Sequence, residues 1–488
     1  MIDLIVKNAR VVRPGQEPVT SDVAITNGRF VEIAPSLGDD AKVILDARGR
    51  LLFPGVVDSH QHWGIYNPLE LDTTSESRAC AQGGVTSALT YIRTGAYYLN
   101  RSGPYSEVLP EALAAAEGNA FVDYAFHVAP ILGSHIDEIP SLISDFGITS
   151  FKIFMFYGRH GLHGSSSNQE KFLMLPPDES YDYARFEFIM RGIQKAREEP
   201  RFADSAEDIS LSLHCETAEI MAAYTKIVES DATLSGLEAY HASRPPHSEG
   251  LAVSIASYLA YETGLANINL LHLSSRKAVE AAMLMAKTFP NINFRREVTI
   301  GHLLADIETA QAGVGGKVNP PLRPREDVEA LWTHLLAGEL DWVSSDHACC
   351  RAETKFGDPK EDVFLAKSGF GGAEYLLAGL ITEGTRRGLS LGRIAELVSA
   401  AAAQRFGLHT KGDVAAGFDA DFCLVDPSAN WTVRAEESES AQEYTPFEDF
   451  EMTAKVTDTF VRGHHVLKDG TITGTPEGQF LRRPTRRS

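Results

Sequence analysis

Between residues 52 and 346, eight apolar, strand-like runs alternate with longer stretches of helical periodicity, and this alternation constrains the fold more than any other feature. The runs are 52–60, 84–92, 121–129, 150–157, 209–215, 268–274, 293–299 and 341–346. Helical patterns fall between most of them, at Pro110–Glu117, Tyr183–Glu198, Glu249–Thr263, Ser275–Phe289 and Arg325–Gly338. Parallel strands need a crossover of about a dozen residues or more, which a helix supplies. Eight such units in a chain of 488 residues match an α/β fold of the (β/α)8 TIM-barrel type with long loops.

The flanks have a different texture. Residues 2–12, 21–35 and Lys42–Asp46 read as short strands, with Asn27-Gly28 marking a two-residue hairpin. After Gly412, Asp421–Asp426, Thr457–Val461 and the turn Lys468-Asp-Gly470 return to β texture. The expected arrangement is a small, discontinuous β-sandwich domain from 1–54 and 412–488, with a catalytic barrel of 55–411 inserted. Residues 434–450 read as an exposed loop, and the basic tail from Arg482 reads as a solvated terminus.

Composition excludes some partners. A net charge of −21 argues against nucleic acid and anionic membranes, both of which need basic surface. No run approaches the ~18 apolar residues of a membrane span. The five cysteines, at 80, 215, 349, 350 and 423, show no disulfide-framework spacing, and the N-terminus lacks a signal-type apolar core. The expected setting is reducing and cytoplasmic.

Chemistry concentrates where the runs end. His60 and His62 close the first run, two residues apart and so on one face of a strand. Lys152 lies in the fourth run, His214 closes the fifth, His272 lies in the sixth and Asp346 closes the eighth. Each alone reads equally as a core histidine or a helix-capping acid. Recurring on five separate strands, at the end where such barrels build active sites, they read as a metal centre. Lys152 is flanked by Phe151, Ile153 and Phe154, so an ammonium there is costly to desolvate unless a buried carboxylate balances it. Alternatively, burial favours the neutral amine, which takes up CO2 as a carbamate. Its two oxygens can bridge two divalent cations that share a hydroxide.

These residues sit in recognisable motifs: Gly55-Val-Val-Asp-Ser-His-Gln-His62, Ser150-Phe-Lys-Ile-Phe-Met-Phe-Tyr157, His241-Ala-Ser-Arg-Pro-Pro246, Asn319-Pro-Pro-Leu-Arg323, Ser344-Ser-Asp-His347 and Lys411-Gly-Asp-Val-Ala-Ala-Gly-Phe-Asp-Ala-Asp421. Over nearly its full length the chain resembles the hydantoinase/dihydropyrimidinase branch of the amidohydrolase superfamily. The resemblance implies two divalent metal ions, with zinc the leading choice. His60 and His62 would hold the more buried ion, His214 and His272 the more exposed one, and carboxylated Lys152 would bridge them. Asp346 would bind the buried ion and shuttle a proton to the leaving nitrogen after a metal-bridging hydroxide attacks. Tyr157 would stabilise the oxyanion, and Asn319 and Ser368 would meet the amide or imide edge of the substrate. His347 and the Cys349-Cys350 pair read as supporting and packing residues.

Departures from the family pattern bear on the substrate. His62 is followed by Trp63, where a dihydroorotase would carry an arginine for a carboxylate. Residues 158–168 are long and polar, and Arg159 and His163, with Arg93 and His160, could meet a polar substituent or remain solvated. The leading expectation is a hydrolase opening a cyclic amide or imide. The rivals are a hydrolase of a linear amide, carbamate or urea derivative, and a non-catalytic assembly protein, which six filled ligand positions disfavour. A small-molecule substrate and a homo-oligomer, dimer or tetramer, complete the expectation.

Overall fold

The computed structural model describes residues 1–157 and 173–486. Five short strands open the chain: β1 (Ile2–Val11), β2 (Val19–Thr26), β3 (Arg29–Ala34), β4 (Ala41–Asp46) and β5 (Leu51–Pro54). Asn27 and Gly28, at φ 50° and 72°, turn β2 into β3. Positive φ at both central positions matches the right-handed twist of the paired strands. One edge of β1 carries β2. The other is shared, with β4 alongside Ile2–Lys7 and β5 alongside Arg10 and Val11. The sheet therefore splits into two layers at β1.

The barrel follows as β6 (Val56–Gln61), β7 (Val85–Ile92), β8 (Asp123–Val128), β9 (Ser150–Phe154), β10 (Ser210–His214), β11 (Asn267–Leu270), β12 (Asn293–Thr299) and β13 (Trp342–Ser344). These eight strands pair in sequence order, all in parallel. The seam between β6 and β13 closes just beyond the strands: Gln61 bridges to His347, and the His62 amide donates to the His347 carbonyl at 2.8 Å. Asp58 reinforces it, accepting from the Ser345 amide at 3.1 Å and from the Ser345 hydroxyl. Each strand expected from the sequence is present.

The chain then returns to β structure with β14 (Phe422–Asp426), a small ribbon of β15 (Trp431–Thr432) and β16 (Glu451–Met452), then β17 (Lys455–Val461), β18 (His464–Lys468) and β19 (Thr471–Ile472). β14 runs antiparallel to β5, with Leu424 opposite Leu52, which stitches the two ends of the chain into one small β-sandwich domain. Its own apolar core includes Val6, Val23, Ile25, Phe30, Phe422 and Phe460.

Two expectations need correction. The tail from Arg482 is solvated only in part, with Arg482 and Arg486 exposed but Arg483 buried. Tyr124 at the start of β8 exchanges backbone hydrogen bonds with Gln479 and Leu481, and Arg483, 3% exposed, donates to Ser150 Oγ at 2.6 Å and to the Phe126 carbonyl. The tail closes the end of the barrel opposite the expected site. Residues 434–450 are not an open loop either, because Gln442, Tyr444, Thr445 and Phe447 are buried and Ser440 donates to Glu76. Both segments look polar in sequence because their partners are buried acceptors rather than water. The same reason hides the helix Leu69–Gln82, whose inward face carries Asp72, Thr73, Glu76 and Ser77.

Candidate metal centre

The six expected ligands converge at the C-terminal mouth of the barrel, and all are buried. His60, Lys152 and His214 lie within β6, β9 and β10, and His62 immediately follows β6. His272 and Asp346 each stand two residues beyond their strands, with φ of 35° and 54°. That left-handed backbone is uncommon outside glycine and clusters where function outweighs local comfort. Here it turns both side chains inward.

His60 Nε2 lies 3.0 Å from Lys152 Nζ and 3.1 Å from Asp346 Oδ1, and His62 Nε2 lies 3.3 Å from the same oxygen. His60, His62 and Asp346 each offer a donor atom within 4.8 Å of the others. The ring of His272 is 5.3 Å from that of His60 and 4.3 Å from that of His214, centroid to centroid. Burial pulls all four imidazoles below their ordinary range, which favours the neutral rings that a metal ion needs.

Neighbouring groups anchor the rings. His60 Nδ1 lies 2.7 Å from Glu297 Oε1 and His62 Nδ1 lies 2.8 Å from the Tyr98 hydroxyl, which turns both Nε2 atoms towards Asp346. His214 is reversed: Nε2 meets Glu216 at 2.6 Å, and Glu216 is held by both Nε and Nη2 of Arg244. Burial alone would raise the Glu216 carboxyl, but the Arg244 charge and the His214 hydrogen bond outweigh it and hold the group far below the carboxylate range. Glu297, Glu216 and Arg244 escaped the sequence reading as site residues. Their signals were a lone acid inside the run 293–299, an acid two residues after His214, and the arginine of His241-Ala-Ser-Arg-Pro-Pro246.

Lys152 is 1% exposed, with Nζ 3.8 Å from the Tyr91 ring centroid and 4.3 Å from that of Phe154. Among the described residues no carboxylate lies within 4.0 Å of Nζ. Burial pushes the ammonium well down towards the neutral amine. His272 Nδ1 is buried with no hydrogen-bond partner among the described residues. Imidazoles, an orphaned ring nitrogen, a buried lysine and an aspartate form a donor set suited to divalent cations.

A small cavity opens over this cluster. Tyr157, Asn319 and Ser368 line it together with Ile65, Phe154, Phe156, Val318 and Ala348. Tyr240 joins two of the polar positions, donating to Asn319 Oδ1 and lying 3.4 Å from Ser368 Oγ, while Arg244 Nη1 donates to the Tyr240 hydroxyl at 2.8 Å. The cavity wall is thus tied to the support of His214. Arg93 is buried behind Tyr157 rather than on the wall. Arg159, His160 and His163 lie outside the described residues. His347 supports the seam, with Nε2 2.7 Å from Glu76, and all five cysteines are buried and unpaired.

The amidohydrolase family model matches residues 181–466. An allantoinase from Rubrobacter xylanophilus is 32% identical over 485 residues, spanning 98% of this chain and 97% of that one. A D-hydantoinase from Geobacillus stearothermophilus is 27% identical over 492 residues, spanning 98% and 96%. Among solved structures, a D-hydantoinase superposes with a TM-score of 0.85 at 25% identity over 100% of both chains. The L-hydantoinase (dihydropyrimidinase) of Arthrobacter aurescens does so with 0.83 at 26% identity, over 98% of this chain and 99% of that one. With its barrel, its β-sandwich and its cluster of histidines, lysine and aspartate, the chain belongs to the amidohydrolase family, on its hydantoinase-like branch.

Proposed function

We propose that this protein hydrolyses a ring C–N bond of a cyclic amide, imide or ureide at a two-metal site held by His60, His62, Lys152, His214, His272 and Asp346. The observation that carries the reading is the convergence of these six side chains around a buried lysine that makes no direct ion pair among the described residues. A neutral Lys152 amine can add CO2, forming an N–C bond and releasing a proton, and the carbamate oxygens give each cation an anionic ligand. Zinc suits the imidazole and oxygen donors. Bound cations would polarise the scissile carbonyl and lower the pKa of water towards neutrality.

The remaining work falls to the chain's own side chains. Asp346, beside both His60 and His62, is placed to accept the proton of the attacking water and deliver it to the departing ring nitrogen. The Tyr157 hydroxyl, on the cavity wall, donates to the carbonyl oxygen as it gains negative charge. Asn319 and Ser368 offer polar groups to the amide edge, while Ile65, Phe154, Phe156 and Val318 enclose a small ring. Relatives named allantoinase and hydantoinase favour a five-membered hydantoin-type ring. The unpaired cysteines support a cytoplasmic setting, and the family resemblance supports a homo-oligomer.

Turnover of allantoin, hydantoin, dihydrouracil and phthalimide, against a panel of linear amides, carbamates and ureas, tests the reading. Ring opening of at least one cyclic substrate is expected. Turnover of linear substrates alone would overturn it.

A further inference from the structure

Tyr240 lies in the helix Gly236–Ser243, is 1% exposed and stands behind the cavity wall, whereas Asn319 is part of that wall. Its hydroxyl donates to Asn319 Oδ1 and accepts from Arg244 Nη1 at 2.8 Å, with Ser368 Oγ farther off at 3.4 Å. Arg244 is itself fixed. Its Nε and Nη2 donate to Glu216 at 3.0 and 2.7 Å, and Glu216 meets His214 Nε2 at 2.6 Å. Arg323 anchors the far end of the Asn319 segment, donating Nη1 to the Arg244 carbonyl at 2.6 Å. The wall and the support of a candidate metal ligand thus share one buried arginine.

Donor counting gives this arrangement a direction. A guanidinium only donates, and a phenol carries one proton. With Arg244 on its oxygen, Tyr240 spends that proton on the nearer acceptor, Asn319 Oδ1. A side-chain amide carries its acceptor on one arm and its two donors on the other. Held by Oδ1 from behind, Asn319 turns its Nδ2 arm forward. Without that hold the amide would be able to rotate and serve a ring N–H as readily as a ring carbonyl.

We infer that Tyr240 is a positioning residue that fixes the sense of Asn319, so that the wall presents an N–H donor and selects rings with a carbonyl oxygen on the edge facing it. The inference rests on the ring-opening reading and on Asn319 meeting the substrate edge, as proposed above. A ring with a second carbonyl beside the cleaved one matches this donor. A ring N–H in that place would set donor against donor and leave both unpaired.

The test uses hydantoin and 2-thiohydantoin, in which sulfur, a weaker acceptor, replaces the oxygen of the uncleaved carbonyl. Metal-loaded wild type, Tyr240→Phe, Asn319→Ala and the double variant Tyr240→Phe/Asn319→Ala are compared, with metal content measured on each and a neutron structure of the wild type. Tyr240→Phe keeps the ring that packs against Phe364 and Lys317 and loses only the hydroxyl. It is expected to keep wild-type metal content, to hold kcat on hydantoin within about threefold, to raise KM about tenfold and to lose about tenfold of the wild-type preference for hydantoin. The double variant should be no worse than Asn319→Ala alone, and the neutron map should show the Tyr240 hydroxyl proton directed at Asn319 Oδ1. If Tyr240→Phe does not fold, Asn319→Asp, which puts an acceptor where the donor stood, carries the comparison and should lose the same preference. An unchanged preference, a loss confined to kcat or multiplicative losses in the double variant would overturn the inference. If the wild type opens neither ring, the functional reading fails, and the neutron map still decides the role of Tyr240: Oδ1 against its hydroxyl keeps that role, and Nδ2 there overturns it.

Discussion

Lys152 shows how one side chain acquires its chemistry from its surroundings. In water it would be a cation, but burial beside Phe151, Ile153 and Phe154 pushes its pKa down to about 7, so a large neutral fraction is present near neutral pH. Lys152→Ala should therefore lose metal and ring-opening activity together, with the circular dichroism spectrum unchanged; full metal occupancy in this variant would refute the bridging role. The histidines depend equally on their neighbours. Glu297 Oε1 meets His60 Nδ1 and also accepts from the His272 amide at 3.0 Å, while Oε2 accepts from Trp342 Nε1 at 2.9 Å. One carboxyl group thus anchors one ring and fixes the backbone of a second ligand. Burial pushes the Glu297 carboxyl up to about 7; Glu297→Gln keeps an acceptor but removes the ionisable group, and metal affinity measured by chelator competition should fall about tenfold.

At the level of elements, the β-sandwich holds because strands from opposite ends of the chain are paired and then ion-paired. Arg50, just before β5, donates Nη1 to Asp458 Oδ2 of β17 at 2.6 Å, and His465 Nε2 of β18 lies 2.9 Å from Asp458 Oδ1. Burial alone would raise the Asp458 carboxyl, but its hydrogen bonds from His465 and Thr457 and the Arg50 charge outweigh it and hold the group below its ordinary value of 3.8. A depressed carboxyl pKa stabilises the fold above the unfolded-state value, and that contribution disappears as pH falls through the folded-state value. Asp458→Asn should cost about 2 kcal/mol at pH 7. Thermal melts should show a constant gap from wild type down to pH ~4, closing at lower pH as the wild-type carboxyl also protonates. A gap that persists unchanged into that lower range would show that the pair's charge is not what matters.

At the level of the whole molecule, the C-terminal tail ties the floor of the barrel to its mouth. Arg483 donates to Ser150 Oγ, which meets His127 Nδ1; His127 Nε2 lies 3.0 Å from the Ser59 carbonyl, next to His60, and its ring stacks on Tyr91 at 4.5 Å. Arg483→Met should leave buried acceptors unpaired and lower stability by about 2–3 kcal/mol in denaturant melts. A wild-type midpoint in that variant would show that the tail only covers the floor. Metal should stabilise the whole fold by linkage. Removal by chelation is expected to lower the melting temperature, and re-added zinc at a thousandfold over its Kd should restore about 4 kcal/mol.

By itself the sequence determined the strand count, the pairing of the two chain ends in one β-sandwich and the positions of the six candidate ligands. These are local signals: apolar runs of strand length, turn residues such as Asn27-Gly28, and histidines spaced to share a strand face. Helix Leu69–Gln82 was not legible, because its inward face is polar and breaks the amphipathic pattern. Nor were the partners that make the ligands work. Glu297 meets His60 across 237 residues, Tyr98 meets His62 across 36 and Arg483 meets Ser150 across 333. No spacing rule connects such pairs. Only the closed barrel brings them within hydrogen-bond distance, and only there does burial strip water from Lys152 and set Arg93 over the Tyr157 ring.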